Sequence, residues 1–207
     1  MKINDIADKV YLMNMDRRPD RMAGSEIDLR ANGINFERYA AVDGSRLINP
    51  TAMNAGQYGN YLSHLGILEK CMIDGTQIVA IFEDDVEFCE GFEEKFSILY
   101  PLIPDDWDMI YLGFNRIAGS SQNTEHYDIV KITGAYAIHA FILRGRAIRI
   151  AYNFLSKNKV QADVYYAELQ KSLNVYGFKN QLCSQKPDFS DIENTNVNYR
   201  WVFGWQS

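Results

Sequence analysis

Apolar residues run unbroken through several stretches of the chain, and elsewhere they recur every three or four positions. The plainest run is residues 78–82, five apolar residues that lead straight into Glu83, Asp84 and Asp85, with Val86 following at once. A continuous apolar run bounded by polar residues predicts a strand buried on both faces. Residues 9–15 predict a second such strand, broken at Asp16, and residues 107–113 a third that ends in Gly113. Residues 35–42 predict a short strand closed by the Asp43-Gly44 turn. Strand character returns in residues 129–132 and 135–138, within an apolar stretch that extends to Leu143.

The clearest helix is predicted over 56–73, where Tyr58, Tyr61, Leu62, Leu65, Leu68 and Met72 fall at helical spacing before Asp74-Gly75 ends it. Pro19 and Asp20 suit the first turn of another, running to about residue 32 with Gly33 as its C-terminal cap. Phe92, Phe96, Leu99 and Tyr100 mark a short helix stopped by Pro101 and Pro104. Residues 144–157 predict a helix with Ile148, Ala151, Tyr152 and Leu155 on one face, and Asp163 opens one through Tyr165, Leu169 and Leu173. Residues 45–54 and the polar, aperiodic 114–128 read as loops, the second as a mobile surface loop able to close over a ligand. The last thirty-odd residues read as irregular and end in an aromatic tail of Tyr199, Trp201, Phe203 and Trp205. That tail can dock on the body, stack on sugars or touch a membrane surface.

Strands alternating with helices predict an α/β sandwich on a mostly parallel sheet. No repeat or linker divides the 207 residues, so residues 1–207 are expected to form one domain. Ligands of such sheets bind beyond the C-terminal strand ends. Asp16, Arg17 and Arg18 lie at one such end and Glu83, Asp84 and Asp85 at another.

Composition narrows the options further. A net charge of −6 lacks the basic footprint of a nucleic-acid binder. Three scattered cysteines, Cys71, Cys89 and Cys183, cannot all pair and show no metal spacing, which predicts a reducing, cytoplasmic setting. The N-terminus is polar with no signal-like core, and no apolar run reaches the roughly 18 residues of a membrane span. Peripheral membrane contact stays open through the aromatic tail.

The acidic triplet carries the chemistry. Three adjacent carboxylates repel one another, and each is costly at a buried strand end without a positive partner. A hard divalent cation with oxygen ligands, Mn²⁺ or Mg²⁺, is the simplest compensation; the bland alternative is a polar strand end. Strand geometry puts Glu83 and Asp85 on one side and Asp84 on the other. Arg17 and Arg18 read either as a solvated helix start or as forks for phosphate oxygens. Ser63 and His64 read as packed helix residues or as part of a site, and Asp163 as a helix cap or a general base. The chain has no G-x-S-x-G, Walker A or G-x-G-x-x-G motif, which argues against a serine hydrolase of the α/β-hydrolase type, a P-loop hydrolase and a dinucleotide oxidoreductase.

In order along the chain, residues 10–21 (with Asn14, Asp16, Arg17 and Arg18), residues 56–64 ending in Ser63-His64, residues 81–86, Trp107-Asp108 with Tyr111 to Gly113, residues 134–138 and Ser190-Asp191-Ile192 resemble the motifs of glycosyltransferase family 25, the lipooligosaccharide and procollagen galactosyltransferase group. The resemblance implies a GT-A-type, Rossmann-like α/β/α fold with a donor-binding half over about 1–113 and an acceptor side over about 114–207. It implies a UDP-sugar donor, a Mn²⁺-type metal and inversion at the anomeric carbon. The acidic triplet resembles a DxD motif, with Asp85 and Glu83 as metal ligands. Asn14, Asp16, Arg17, Arg18, Ser63, His64, Glu83 and Asp84 then form the donor-binding set, and Asp163 is the implied catalytic base. The expected reaction moves a hexose, galactose or glucose, to a hydroxyl of a glycan or lipid-linked glycan in lipopolysaccharide or surface-glycan synthesis. A nucleotidyltransferase acting on a sugar phosphate and a non-catalytic sugar-nucleotide-binding module are the alternatives. Departures from the family pattern fall at Asn60, where cysteine is usual, and at His139, where a small polar residue is expected.

Overall fold

A computed structural model describes residues 1–116, 120–190, 192 and 195–198. Asp191 and the aromatic tail at Tyr199, Trp201, Phe203 and Trp205 lie outside the described residues. The elements run α1 (Ile3–Ile6), β1 (Lys9–Asn14), α2 (Pro19–Ala31), β2 (Glu37–Ala40), α3 (Ala55–Asp74), β3 (Ile78–Glu83), β4 (Val86–Phe88), α4 (Phe92–Leu99), β5 (Met109–Tyr111), β6 (Asn115–Arg116), β7 (Ser121–Asn123), β8 (Ile129–Ile132), β9 (Ala135–Tyr136), β10 (Ala140–Arg144), α5 (Gly145–Leu155), α6 (Ala162–Leu169), β11 (Val175–Phe178), β12 (Cys183–Gln185), β13 (Asp188–Ser190) and β14 (Thr195–Val197).

One eight-stranded sheet, in the order β2-β1-β3-β10-β5-β11-β8-β7, forms the centre. β1 pairs in parallel with β2 and β3, and β5 with β11, whereas β10 and β8 run against their neighbours. Most strands therefore point one way and the sheet is mixed. Side-chain alternation builds a core on each face. Tyr11, Met13, Val79, Ile81, Phe141 and Val175 pack with α3, α5 and α6 on one side. Val10, Leu12, Ala80, Phe82, Ile142 and Phe178 pack with α1, α2 and α4 on the other. This is the Rossmann-like α/β/α sandwich expected of a GT-A-type chain.

Local chemistry sets the element ends. Asn54 caps α3 through a reciprocal pair with Gln57, and Gly75 closes the helix at φ 69°, a left-handed conformation that glycine adopts without steric cost. Gly33, at the same φ, ends the turn after α2 as the sequence predicts.

The structure differs most from the sequence reading in three places. The stretch read as a loop over 114–128 contributes β6 and the edge strand β7, which pairs with β8. The apolar stretch ending at Leu143 holds a separate antiparallel strand, β10, that wedges between β3 and β5 and carries Arg144 as its last residue. The C-terminal region read as irregular supplies β11 inside the sheet, β12 paired with β4, and the β13–β14 hairpin. No helix among the described residues is long and apolar enough to cross a membrane, and all three cysteines are free thiols.

Candidate active site

A cleft of about 970 Å³ opens beyond the C-terminal ends of β1 and β3, where a sheet of this kind presents its ligands. Asp84 and Asp85 form the turn between β3 and β4, so the acidic triplet sits at the floor of the cleft. The alternation along β3 separates Glu83 from Asp84. Glu83 faces α3, where Asn60 Nδ2 donates to its Oε1 at 2.9 Å and His64 Nε2 lies 3.6 Å away. Asp84 faces α2, where it accepts from Asn14 Nδ2 at 2.7 Å and pairs with Arg21 at 3.1 Å, while Ser25 donates to its carbonyl at 2.7 Å. Asp85 Oδ2 accepts from Gln185 Nε2 at 3.2 Å. Its other oxygen, Oδ1, is buried with no hydrogen-bond partner.

Burial raises the proton affinity of Glu83 and of Asp85, and for Asp85 the neighbouring Glu83 and Asp84 charges add to it. Asp163 reaches the same cleft from the first turn of α6, whose N-terminal cap is Gln161. Burial, then the Glu83 charge, pushes the Asp163 carboxyl up to about 7. Three carboxylates from two elements thus share one poorly solvated space, the arrangement that tunes acid–base groups and attracts cations. Glu83 and Asp85 offer hard oxygen donors, and the orphaned Asp85 oxygen fits a cation of the Mn²⁺ or Mg²⁺ type. Among the described residues no three His, Cys, Asp or Glu side chains form a ready metal cage. Sites that use one or two carboxylates plus substrate phosphates need none.

The remaining candidates take distinct places. Asn14 is buried: it ties Asp84 to the Arg18 carbonyl and accepts from Arg38 at 3.1 Å. Asp16 is exposed and bound by Arg38 at 2.6 Å. Arg17 lines the cleft beside Asp43, at 3.3 Å. Arg18 turns to Asp20 and Asp188, each at 2.9 Å. Ser63 is buried, donates to the Gly59 carbonyl at 2.7 Å and accepts from Val42 N–H at 2.8 Å, pinning the cleft wall to α3. Gly59 permits that approach, because a Cβ there would overlap the Val42 carbonyl. His64 is fully buried, stacks on Phe141 and meets the edge of Tyr166. Burial lowers it to about 4, so it stands neutral beside Glu83.

Three polar side chains at this site go beyond the sequence reading. Arg21 is the buried counter-charge of Asp84 and also pairs with Asp188 at 2.9 Å. Asn60 and Gln185 orient Glu83 and Asp85. Arg21 and Asn60 belong to motif stretches already singled out, and Gln185 has no local signal.

Residues 7–133 match the family described as "Glycosyltransferase family 25 (LPS biosynthesis protein)". The chain belongs to glycosyltransferase family 25. Family 25 relatives include the "Probable inactive glycosyltransferase 25 family member 3" of Bos taurus, 29% identical over 133 residues, covering 53% of this chain and 22% of the relative. The "Glycosyltransferase 25 family member" of Aedes aegypti is 27% identical over 133 residues, covering 52% and 21%. The "Procollagen lysyl hydroxylase and glycosyltransferase" of Acanthamoeba polyphaga mimivirus is 25% identical over 201 residues, covering 83% and 22%. This family 25 chain thus spans about a fifth of the length of these curated relatives. Among solved structures, a glycosyltransferase involved in glycosylation of the major capsid of PBCV-1 aligns at TM-score 0.43 and 7% identity, covering 72% of this chain and 67% of its own.

Proposed function

We propose that the chain is a metal-dependent, inverting glycosyltransferase that moves a hexose from a UDP-sugar to a hydroxyl of a glycan or lipid-linked glycan. The observation that carries the reading is the meeting of Glu83, Asp85 and Asp163 in one cleft at the strand ends. Glu83 and Asp85 would hold Mn²⁺ or Mg²⁺, which when bound neutralises charge on the departing nucleotide diphosphate. Asn60 and Gln185 hold one oxygen of each carboxylate in place. Arg17, on the cleft wall, supplies a fixed positive charge to the diphosphate. Asp163 takes the proton from the acceptor hydroxyl as that oxygen attacks the anomeric carbon from the face opposite the leaving group. Its raised proton affinity suits a base working near neutral pH. One displacement inverts the anomeric centre, and no covalent intermediate on the protein is needed. The Arg21 pair keeps Asp84 folded against α2, so the triplet divides into two carboxylates for the cleft and one for the scaffold.

The family description supports a role in lipopolysaccharide or related surface-glycan synthesis. The free thiols support a reducing compartment, the cytoplasm, with the acceptor brought to the protein from solution or a membrane surface. Four relatives from cattle, mouse, rat and human are named inactive or probably inactive, which keeps a non-catalytic sugar-nucleotide module as the second reading. One experiment separates them: a screen of UDP-sugars with and without Mn²⁺, read as UDP release and as thermal shift. Mn²⁺-dependent UDP release is the expected result. Stabilisation by UDP-sugar without release favours the binding module, and no response to any UDP-sugar overturns both.

A further inference from the structure

We propose that Tyr136 is the platform on which the acceptor sugar ring lies, held at a fixed distance from Asp163 by Gln170. The inference rests on the glycosyl-transfer reading and assigns the acceptor side of the same cleft. β3 stands between two flanks of the sheet, with β1 on one side and β10 on the other. Arg17, which suits the diphosphate, follows β1. The opposite flank is built from α6 and the small β6–β9 pair, and it presents Tyr136, Val164, Asn115 and Gln161 to the cleft.

β9 puts one side chain in and one out. Ala135 is fully buried, whereas Tyr136 keeps 42% of its surface exposed while lining the cleft. Ala137 follows at φ 69°, the one non-glycine residue in the left-handed region among the described residues. Such a conformation persists only where the surroundings impose it, and it clusters at ligand sites. Gln170 fixes the backbone two residues before Ala137. Its side chain accepts from Ala135 N–H at 2.6 Å and donates to the Ala135 carbonyl at 2.8 Å. It also donates to Tyr111 Oη at 2.9 Å, which anchors the group to β5. Gln170 ends the helix whose first turn carries Asp163. The aromatic ring and the carboxylate are therefore mounted on one unit.

The chemistry of this wall selects a pyranose. A sugar ring has an apolar, weakly electropositive C–H face, which suits the negative face of an aromatic ring. Its hydroxyl edge needs donors and acceptors, and the amides of Asn115 and Gln161 supply both kinds. Val164, 51% exposed beside Asp163, gives the wall a second apolar surface. Covering these groups with a sugar would place a ring hydroxyl at Asp163.

The test uses the intact chain and saturation-transfer NMR with methyl β-D-galactopyranoside and methyl β-D-glucopyranoside, in the presence of UDP and Mn²⁺. Ring C–H protons should receive saturation in the wild-type protein. Tyr136→Phe should keep the signal. Tyr136→Leu, which keeps apolar bulk without the ring, should weaken pyranoside binding by roughly tenfold, near the upper end of what a lost aromatic face is worth. The thermal shift by UDP with Mn²⁺ should be unchanged in both variants, which also reports that they fold. An undiminished pyranoside signal in Tyr136→Leu, or none in the wild type, overturns the proposal. So does loss of the UDP shift in Tyr136→Leu, because Tyr136 would then serve the nucleotide. A wild-type protein that binds the pyranosides through Tyr136 and shows no UDP shift would sink the transferase reading and leave the sugar platform standing.

Discussion

Arg21 and Asp84 meet at 3.1 Å with only 11% and 10% of their side chains exposed. A buried pair of this kind is costly to break from one side, because the remaining charge stays desolvated. Asp84→Ala is expected to destabilise the protein by about 3–5 kcal/mol. Asp188→Ala removes a partner of the same Arg21, but Asp188 is 41% exposed, and water screens most of what it gains; the cost should stay below about 1 kcal/mol. Urea denaturation of the two variants checks the contrast. Equal losses would mean that Asp84 is no more structural than its neighbours.

Asn60 holds Glu83 by one hydrogen bond, donated by its amide at 2.9 Å. Groups that orient metal-binding carboxylates typically contribute roughly 10–100-fold to affinity. Asn60→Ala should weaken Mn²⁺ binding by about that factor while leaving the circular dichroism spectrum unchanged. Titration followed by the electron paramagnetic resonance of free Mn²⁺ measures it without any turnover.

Asp163 lies on α6, away from the diphosphate flank. Asp163→Asn should cut turnover by about 10²–10⁴, the range for loss of a positioned base. The Kd for UDP-sugar with Mn²⁺ should hold steady. Weakened donor binding with normal turnover would return Asp163 to a structural role.

Acid stability depends on Asp188. Its carboxyl is depressed to about 2, mainly by the Phe189 backbone N–H, with Arg18 and Arg21 adding to the effect against a smaller burial penalty. A carboxyl whose folded pKa lies below its unfolded value stabilises the fold above the unfolded pKa, about 3.9. That stabilisation fades as pH falls through the folded value near 2. Asp188→Asn should therefore melt below the wild type at pH 5, and the two melting temperatures should converge toward pH 2. A constant gap across that range would contradict the assignment.

Much of this scaffold is legible because it obeys short-range rules. The runs in β1 and β3 are long and apolar, and α3 combines period with a cap and a closing glycine. The opposite facing of Glu83 and Asp84 follows from strand geometry alone. β10 does not stand out because Ala140 to Leu143 continues an apolar stretch and runs directly into a helix with no turn residue between. β11 is four residues long with Gly177 inside it, too short and too broken to announce itself. The polar partners are hidden for another reason. Arg21 and Asp84 lie far apart in sequence, as do Gln185 and Asp85, and no local pattern encodes a contact made only when the sheet closes.

The antiparallel β10 has a consequence for how the protein is made. β3 leaves the ribosome with one edge matched to β1 and the other bare, and the strand that covers the bare edge is encoded at 140–144. At roughly 5–20 residues per second the nascent chain waits several seconds with a flat apolar edge open. An edge of that kind is a template for pairing with other chains. The family match ends at residue 133, before β10 begins. A fragment cut at that boundary would contain every residue of the acidic triplet and still lack the strand that covers the second edge of β3. Its expected fate is aggregation, and a soluble product should require the chain to continue past β11.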